Sequence, residues 1–362
     1  MSDQAGQTGS PAAPARHLLE CELSELEQWL AELGEPRYRA AQLVDWIYAK
    51  GATSFAGMSN LPKALRARLE QQAVLARTTL LDERVARDGT RKLLLALADG
   101  ARIECVWIPG GQRNTACLST QVGCPVGCRF CASGLDGLER NLTAGEIVEQ
   151  ALWVRRLVSN GRSAGAPRLS NIVIMGMGEP LANYRALVGA LRILNAPWGL
   201  GLGARRITVS TIGLPQQIRR LAGDGLPVNL ALSLHATDNA LRRELIPWAE
   251  RVPLAAVLDA CAYYFRQTGR EVTLEYVLLA GVNMRPQHAD RLAAIARQLR
   301  ANVNLLRYNP VPGLPFERPT AAAAYAFEQR LRARGVNVHL RRSRGAEVAA
   351  ACGQLRRTTD RP

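Results

Sequence analysis

The chain lacks any run of the roughly 20 consecutive apolar residues that a membrane-spanning helix needs. Its start, MSDQAGQTGSPAAPAR, is small, polar and proline-containing, without the apolar block of a secretory signal peptide. We therefore expect a cytoplasmic protein with no membrane partner and a disordered tail over residues 1–16. In a reducing compartment, clustered cysteines indicate metal binding or reactivity rather than disulfides. The isolated Cys21, Cys105 and Cys261 are interpreted as small buried apolar residues.

Lysine is also scarce, since only three of the 46 basic residues are Lys and the rest are Arg. Against 31 acidic residues they give a net charge of +15. Arginine neutralises phosphate and stacks on bases, so the excess favours an RNA or DNA partner. Genome composition is the alternative source of Arg richness. The C-terminal segment is especially basic, with Arg341, Arg342, Arg344, Arg356, Arg357 and Arg361.

Helical periodicity fills residues 17–76, and strand patterns follow. The stretches ELSELEQWLAEL, RAAQLVDWIYAKG and LPKALRARLEQQ predict three short helices of a small N-terminal domain. We expect this domain to grip the RNA partner that the basic charge favours. The next stretch, RKLLLALADGARIECVWIPG, predicts a hairpin of Lys92 to Ala98 and Arg102 to Ile108. This hairpin lies in a linker over residues 77–109.

From there, short apolar strands alternate with helices. The predicted strands are Ala116–Gln121, Asn171–Met175, Arg206–Ser210, Val228–Leu234, Val272–Leu278 and Val303–Leu306. Such alternation indicates parallel pairing with the helices outside. The predicted fold class is therefore α/β, a partial (β/α)6 barrel over residues 110–345 with a C-terminal extension over residues 346–362. Functional residues of such a barrel lie at the carboxyl ends of its strands.

The stretch QVGCPVGCRFCASG places Cys124, Cys128 and Cys131 at C-x3-C-x2-C spacing, with no fourth cysteine nearby. A structural zinc site would be closed by a fourth ligand, so three thiolates indicate one open position. A 4Fe–4S cluster with one iron left for an outside ligand fits this set. Catalytic zinc is the alternative, but the loop has no His, and His235 is the nearest candidate in the barrel.

The cysteine spacing, with Phe130 before the last cysteine, resembles the signature of the radical S-adenosylmethionine (SAM) superfamily. GMGEP, from Gly176 to Pro180, resembles the glycine-rich stretch that binds the SAM amino group in that superfamily. The resemblance implies a radical SAM barrel in which SAM chelates the open iron. An electron from an external donor then releases a 5′-deoxyadenosyl radical.

From about Glu35 onward, the sequence resembles the RlmN/Cfr family of adenosine-methylating enzymes of ribosomal RNA. The matching stretches are GEPRYRAAQLVDWIY, SNLPKALR, TACLSTQVGC, RNLTAGEIVEQ, MGMGEPLANY, SLHA and AACGQL. The resemblance implies a SAM-dependent methyltransferase that modifies an adenine ring carbon. Such a C–H is neither acidic nor nucleophilic, so a radical route is needed.

The resemblance also implies roles for the remaining cysteines, with two SAM molecules used per turnover. Cys352 takes a methyl group from one SAM, since a thiolate is a good nucleophile. A second SAM yields the radical that activates this S-methyl group for addition to the adenine. Cys117 then forms a transient disulfide with Cys352 and releases the base. Glu104 occupies the position of the proton acceptor, with Glu347 as a weaker competitor.

Motif matches also imply a set of SAM contacts: Gly178, Glu179, Ser210, Ser233, Leu234, His235 and Asn309. We expect His235 to act through packing or its backbone rather than as a catalytic base. The implied substrate is 23S rRNA, with tRNA as a second target, and we expect a monomer. The target base must be extruded from folded RNA.

Several loops differ from the usual sequences of the family, among them GGQRNT, CASGLDGLERN, STIGLP and RGAEVA. These loops surround the substrate rather than the cluster, so they leave the choice between carbon 2 (RlmN type) and carbon 8 (Cfr type) open. We favour carbon 2. The other hypotheses are a radical SAM enzyme with another substrate, a zinc hydrolase and a non-catalytic, metal-stabilised RNA-binding protein.

Overall fold

The computed structural model describes residues 15–111, 113–159, 168–341 and 354–359. Two residues of the predicted mechanism, Cys352 and Glu347, lie outside these ranges. Of the predicted tail, only Ala15 and Arg16 are described, and Arg16 already belongs to a strand.

The N-terminal unit contains three α-helices, as predicted, and the second continues as a π-helix over Asp45–Ala49. A two-residue parallel ladder closes the unit. Its elements are β1 (Arg16–His17), α1 (Leu23–Glu32), α2 (Tyr38–Val44), α3 (Lys63–Gln72) and β2 (Ala73–Val74). Apolar residues at helical spacing, such as Leu26 and Leu30 of α1, are fully buried. Their core is continuous with that of the rest of the molecule.

A ten-stranded sheet forms the main framework, in the order β14-β13-β12-β11-β10-β9-β6-β5-β4-β3. The strands after the N-terminal unit are β3 (Thr79–Val85), β4 (Arg91–Ala96), β5 (Arg102–Gly110), β6 (Arg113–Cys117), β7 (Gln121–Gly123), β8 (Leu138–Asn141), β9 (Asn171–Ile174), β10 (Ile207–Thr211), β11 (Asn229–Ser233), β12 (Val272–Leu278), β13 (Asn302–Arg307) and β14 (Val338–Arg341). Strands β3 to β6 are antiparallel neighbours, whereas β6 and β9 to β14 are parallel. The predicted α/β partial barrel is confirmed.

Helices connect most of the parallel strands. They are α4 (Ala144–Ser159), α5 (Tyr184–Asn195), α6 (Pro215–Gly223), α7 (Asn239–Leu245), α8 (Leu254–Thr268), α9 (Pro286–Leu299), α10 (Ala321–Arg332) and α11 (Gln354–Thr359). Successive strand side chains point to opposite faces. Residues such as Ala116, Ile172 and Val209 join the helices in the main core, and the residues between them face the other way, into the barrel. No helix in the described part of the chain is long and apolar enough to cross a bilayer.

Three features of the sheet differ from the sequence-based prediction. The predicted strand Ala116–Gln121 is two elements, because the neighbouring loop draws residues 118–120 out of the ladder: Gly176 N donates to Leu118 O (3.0 Å) and Thr120 N to Met177 O (2.9 Å). A seventh parallel strand, β14, was not predicted because its sequence, VHLR, is short and half polar. The predicted hairpin continues the barrel sheet through β5, and the proposed domain boundary at residue 109/110 falls inside that strand.

Glu149 of α4 joins the N-terminal unit to the sheet. Its buried carboxylate accepts hydrogen bonds from the backbone amides of Arg77 (2.9 Å) and Thr78 (3.0 Å) and from the Thr78 hydroxyl (2.5 Å). Trp153 Nε1 donates to the same hydroxyl at 2.7 Å. A buried carboxylate is stable only with such donors, so this network fixes the chain between β2 and β3 on α4.

Candidate active site

The three cysteines lie on the loop that follows β7, whose start is set by the main chain. Gly123 has a φ of +77°, and a Cβ there would lie 2.1 Å from the carbonyl oxygen of Gly137, so glycine alone fits. Cys124 N donates to the same oxygen at 2.8 Å. Farther along, Arg129 N donates to Leu245 O at the end of α7 (3.0 Å). The loop is thereby held between β8 and α7.

Burial dominates the chemistry of the thiols of Cys124 and Cys128. It raises the pKa of Cys124 to about 12 and that of Cys128 well above its usual range, and the neighbouring thiols and Glu179 act in the same direction. Such thiols become thiolates when a strongly cationic group binds them, and three of them fit a 4Fe–4S cluster. Among the described residues, no group of His, Cys, Asp or Glu is already arranged to hold a metal ion. The fit therefore rests on the donor chemistry.

His235 supports the cysteine loop from the end of β11. Its ring packs edge-on against Phe130, with centroids 5.0 Å apart. Its backbone is left-handed (φ +56°), its Nδ1 accepts from Val277 N (3.1 Å), and its carbonyl accepts from the Asn283 side chain (3.0 Å). Burial lowers the pKa of His235 to about 3. The imidazole is thus neutral, and its Nδ1 is occupied by the hydrogen bond from Val277 N. A role through packing rather than as a catalytic base stays a prediction.

The GMGEP loop after β9 lies directly on the chain between β6 and β7. A Cβ on Gly176 would lie 2.6 Å from Ser119 Oγ and 2.7 Å from Ser119 N. Gly178 has a φ of +103°, and a Cβ there would lie 2.7 Å from the Gln121 Cβ. Both positions therefore need glycine for close approach, and Gly178 needs it for its backbone conformation as well.

Glu179 is pinned within this loop by the main chain. Its carboxylate accepts from Leu181 N (3.1 Å) and Ile212 N (2.9 Å), and its own amide donates to Gln121 Oε1 (2.8 Å). Burial raises the pKa of Glu179 to about 7, and the hydrogen bonds from Ile212, Thr211 and Leu181 oppose this rise. The side chain ties the loop after β9 to the end of β10.

The other predicted SAM contacts follow neighbouring strands. The hydroxyl oxygens of Ser210 and Ser233, near the ends of β10 and β11, lie 3.2 Å apart. Leu234 is buried, and its amide donates to Glu275 O (3.0 Å). Asn309 follows β13. These positions all fall at the carboxyl ends of parallel strands, where ligands of such sheets bind; their contact with SAM stays a prediction.

Glu104 of β5 is held by partners from distant parts of the chain. Lys92 Nζ of β4 donates to its Oε2 at 2.9 Å, and both side chains are 3% exposed. Arg356 N of α11 donates to its Oε1 at 2.8 Å. The Glu104 carbonyl accepts from Ser119 Oγ (2.6 Å), which in turn accepts from Met177 N (2.9 Å). Glu104 is thus connected to the GMGEP loop through one hydroxyl.

Strand register places Cys117 on the same face of the sheet as Glu104. Val106 lies opposite both Cys117 of β6 and Lys92 of β4. Directly opposed residues share a face, and so do residues two apart on a strand. Lys92, Glu104 and Cys117 therefore all lie on the face turned away from the helices.

The C-terminal helix α11 returns to this face. Leu355 is buried, Gln354 Nε2 donates to Pro310 O (3.0 Å) and Arg356 Nη2 donates to Glu139 Oε2 (2.7 Å). α11 therefore lies between Glu104 and the loop after β13 that carries Asn309. It begins two residues after Cys352 in the sequence.

Sequence reasoning missed two residues that hold this site together. Lys92 had a usable signal, because it lies with Arg91 at the start of the otherwise apolar strand RKLLLALA. Ser119 had none, since its role depends on the crossing of two loops. Cys21, Cys105 and Cys261 are buried, as expected.

Comparison with known proteins agrees with this geometry along most of the chain. A model of the ribosomal RNA large subunit methyltransferase N-terminal domain matches residues 16–75, and the radical SAM superfamily model matches residues 118–293. A protein of Rhodopirellula baltica named "Probable dual-specificity RNA methyltransferase RlmN" is 47% identical over 94% of this chain and 91% of its own.

A protein of the same name from Geobacillus kaustophilus is 43% identical over 96% of this chain and 94% of its own. Among solved structures, a radical SAM methyltransferase from Sphaerobacter thermophilus superposes with a TM-score of 0.89 at 47% identity. That match covers 94% of this chain and 98% of the other. The likeness therefore extends over both the N-terminal unit and the barrel.

Proposed function

The chain belongs to the RlmN family of radical SAM RNA methyltransferases, and from this premise we propose that it methylates carbon 2 of an adenosine in 23S rRNA through an S-methylcysteine at Cys352. An adenosine of tRNA is the second proposed target. One observation carries the proposal: α11, which begins two residues after Cys352, docks on Glu104 through Arg356 N. The C-terminal segment and the proposed base therefore meet at the barrel face that also holds Cys117.

Cys124, Cys128 and Cys131 would hold the 4Fe–4S cluster, and the residues after β9, β10, β11 and β13 would hold SAM. When bound, these groups supply a radical able to take a hydrogen atom from a methyl group. The chain itself orients and shields this chemistry. Gly176 and Gly178 let two loops approach closely, and the neutral His235 supports Phe130 of the cysteine loop.

Cys352 carries the methyl group as a thioether, which a first SAM provides by displacement, and its carbon becomes bonded to the adenine. Glu104 takes the proton from the ring carbon, and the unpaired electron of the adduct passes back to the redox group that supplied it. Its carboxylate is suited to this because Lys92 and Arg356 N fix both oxygens in place. The thiolate of Cys117 then attacks the sulfur of Cys352, so that an S–S bond forms and the C–S bond breaks with its electron pair left on the carbon. That carbon takes up a proton, the methylated base leaves, and the external electron donor reduces the disulfide before the next turnover. Two SAM molecules are consumed per turnover.

Charge supports RNA as the substrate. The net charge of +15 favours phosphate binding, and exposed arginines lie on the barrel and N-terminal unit. The two relatives are named as dual-specificity RNA methyltransferases, which supports two RNA targets. The enzyme acts as a monomer that receives electrons from an external donor.

The test is anaerobic incubation of the cluster-loaded protein with reductant, SAM and unmodified 23S rRNA, followed by mass spectrometry of the nucleosides. We expect 2-methyladenosine. Formation of 8-methyladenosine would replace carbon 2 by carbon 8. If an intact cluster gives neither product on 23S rRNA or tRNA, the proposed substrates are wrong. A parallel reaction with Cys117→Ala should trap RNA covalently on the protein, and normal turnover of that variant would contradict the disulfide step.

A further inference from the structure

Arg242 of α7 is a fully buried cation that forms no ion pair with a carboxylate of the described residues. Its residue is 1% exposed. Its Nη2 donates to the carbonyl oxygen of Ile212, whereas its Nε is buried and has no hydrogen-bond partner among the described residues. Arginine stays protonated in proteins, and an unpaired buried charge is strongly destabilising. Among the described residues, the guanidinium therefore lacks a counter-charge.

The groups that face Arg242 identify where a counter-charge belongs. Its electrostatic neighbours are the thiols of Cys128 and Cys261 and the ring of His235. His235 is neutral, and burial raises the pKa of Cys261 to about 12, which keeps that thiol neutral too. Cys128 is the neighbour that becomes an anion, because a cysteine that ligates iron does so as a thiolate.

The surroundings hold Arg242 and the cysteine loop as one unit. Leu245 and Ile246, which follow Arg242, share an apolar cluster with Val126 and the partly buried Cys128, and Arg129 N is bonded to Leu245 O. On its other side, Arg242 reaches the carbonyl of Ile212, whose amide donates to Glu179. The guanidinium thus lies between the cysteine loop and the GMGEP loop in a setting that screens charge poorly.

We propose that Arg242 is the built-in counter-charge of the cluster, a positioning residue that makes its one-electron reduction more favourable. The inference rests on the proposed cluster at Cys124, Cys128 and Cys131. The thiolates carry more negative charge than the oxidised core carries positive charge, and the electron from the external donor adds to the excess. A fixed cation beside Cys128 stabilises the reduced state more than the oxidised one, so it raises the reduction potential.

The neighbouring Arg243 offers a matched control. It lies on the same helix with the same charge, but its side chain is 45% exposed and points to Glu250, with 3.6 Å between Nε and Oε1. The variants are Arg242→Gln, Arg242→Lys and Arg243→Gln, each loaded with the cluster anaerobically. The measurement is an EPR-monitored redox titration without SAM or RNA, together with the iron content.

For Arg242→Gln we expect the reduction equilibrium to move at least tenfold toward the oxidised cluster, which is about 59 mV for a one-electron couple. Arg242→Lys should stay within about threefold of the wild type, about 30 mV on the same scale, because it keeps the charge. Arg243→Gln should match the wild type, because solvent screens its charge.

An unchanged potential in Arg242→Gln would overturn the inference. A rise in potential would also overturn it. Water that enters the vacated space favours the more charged, reduced cluster, so a rise would mean that hydration, and not the charge of Arg242, sets the reduction potential. If Arg242→Gln takes up no iron, the iron content of Arg242→Lys decides. A Lys variant that binds the cluster supports the requirement for a positive charge. A Lys variant without the cluster overturns the inference, because the shape of Arg and not its charge is then what the site needs. If the wild type itself binds no iron–sulfur cluster, the proposed function fails, which is a different result from a loaded variant with the wild-type potential.

Discussion

The two sides of the candidate active site, one with the cysteine loop and GMGEP and the other with Glu104, are held in different ways. Around the cysteine loop and GMGEP, the contacts are made by the main chain: Glu179 is fixed by amides of residues 181 and 212, and Gly176 and Gly178 by their closeness to residues 119–121. On the side of Glu104, the contacts include an ion pair with Lys92 and a helix that comes from the far end of the chain.

This difference separates two requirements of the chemistry. The proposed cluster and SAM side must keep a fixed geometry through every turnover, and main-chain hydrogen bonds with obligatory glycines provide that rigidity. The side with Glu104 must admit the adenine of the RNA and let the C-terminal segment bring the methyl carbon of Cys352 to it. Contacts through a terminal helix can loosen and re-form without unfolding the barrel. Removing one side should therefore leave the other intact.

The largest effect is expected from Cys128→Ala. Loss of one of three thiolates should abolish binding of the proposed cluster and with it all methylation, because the C-x3-C-x2-C motif has no spare cysteine. RNA binding, measured by a gel shift at low salt, should stay within about threefold of the wild type. Cys105→Ala is the control, since Cys105 is buried in β5 on the helix side, and it should retain full iron content. Cluster absorbance in Cys128→Ala would contradict the ligand assignment.

The corresponding substitution on the other side of the site is Glu104→Gln. With the proposed base removed, the rate of methylation should fall about 10²- to 10⁴-fold, while iron content and cleavage of SAM to 5′-deoxyadenosine continue. Glu83→Gln serves as the control. Glu83 lies on the more exposed strand β3, and its Oε1 is 2.9 Å from Nη1 of Arg91 on β4. A variant that methylates at the wild-type rate would show that Glu104 is structural. Loss of the cluster would show that the two sides are not separable.

Sequence patterns indicated the residues of the proposed cysteine and SAM side more fully than those of the side with Glu104, for a physical reason. Cys124, Cys128, Cys131 and GMGEP are local motifs, whose spacing is printed in the sequence. Glu104 became visible only through the family resemblance, because its partners are 12 and 252 positions away and no local pattern records such pairing. Ser119 and Arg242 remained invisible for the same reason.

The strand prediction shows the same limit. Apolar runs located β9 to β13, but the break between β6 and β7 depends on hydrogen bonds to Gly176 and Met177, some 60 residues later. Strand β14 carries His339 and Arg341 and lies at the sheet edge, so its pattern is only half apolar. Periodicity detects burial on both faces far better than it detects an edge.

The pH dependence of stability tests the side with the cysteine loop and GMGEP, with a smaller expected effect. Burial raises the pKa of Glu179 from 4.5 to about 7, so the folded state binds this proton more tightly than the unfolded state does. The stabilisation is complete below about pH 4.5 and is lost as the pH rises through about 7, a change of up to about 3 kcal/mol. In denaturant unfolding of the cluster-free protein, Glu179→Gln should flatten the fall in stability over this range. Equal slopes in both proteins would mean that the hydrogen bonds offset burial completely.

The smallest expected effect concerns the docking of α11. Arg356 Nη2 and Glu139 Oε2 are 2.7 Å apart, but Glu139 is 52% exposed, and such surface pairs contribute about 0–1 kcal/mol. Glu139→Gln should therefore slow methylation no more than about fivefold at low salt, and the difference should vanish at high salt because ions screen the pair. The helix would remain docked through Leu355 and the contact between Arg356 N and Glu104, neither of which depends on Glu139. A loss as large as that of Glu104→Gln, and independent of salt, would mean that the ion pair fixes the reacting geometry. The side with Glu104 would then be as rigid as the side with the cysteines, and the contrast between the two would not hold.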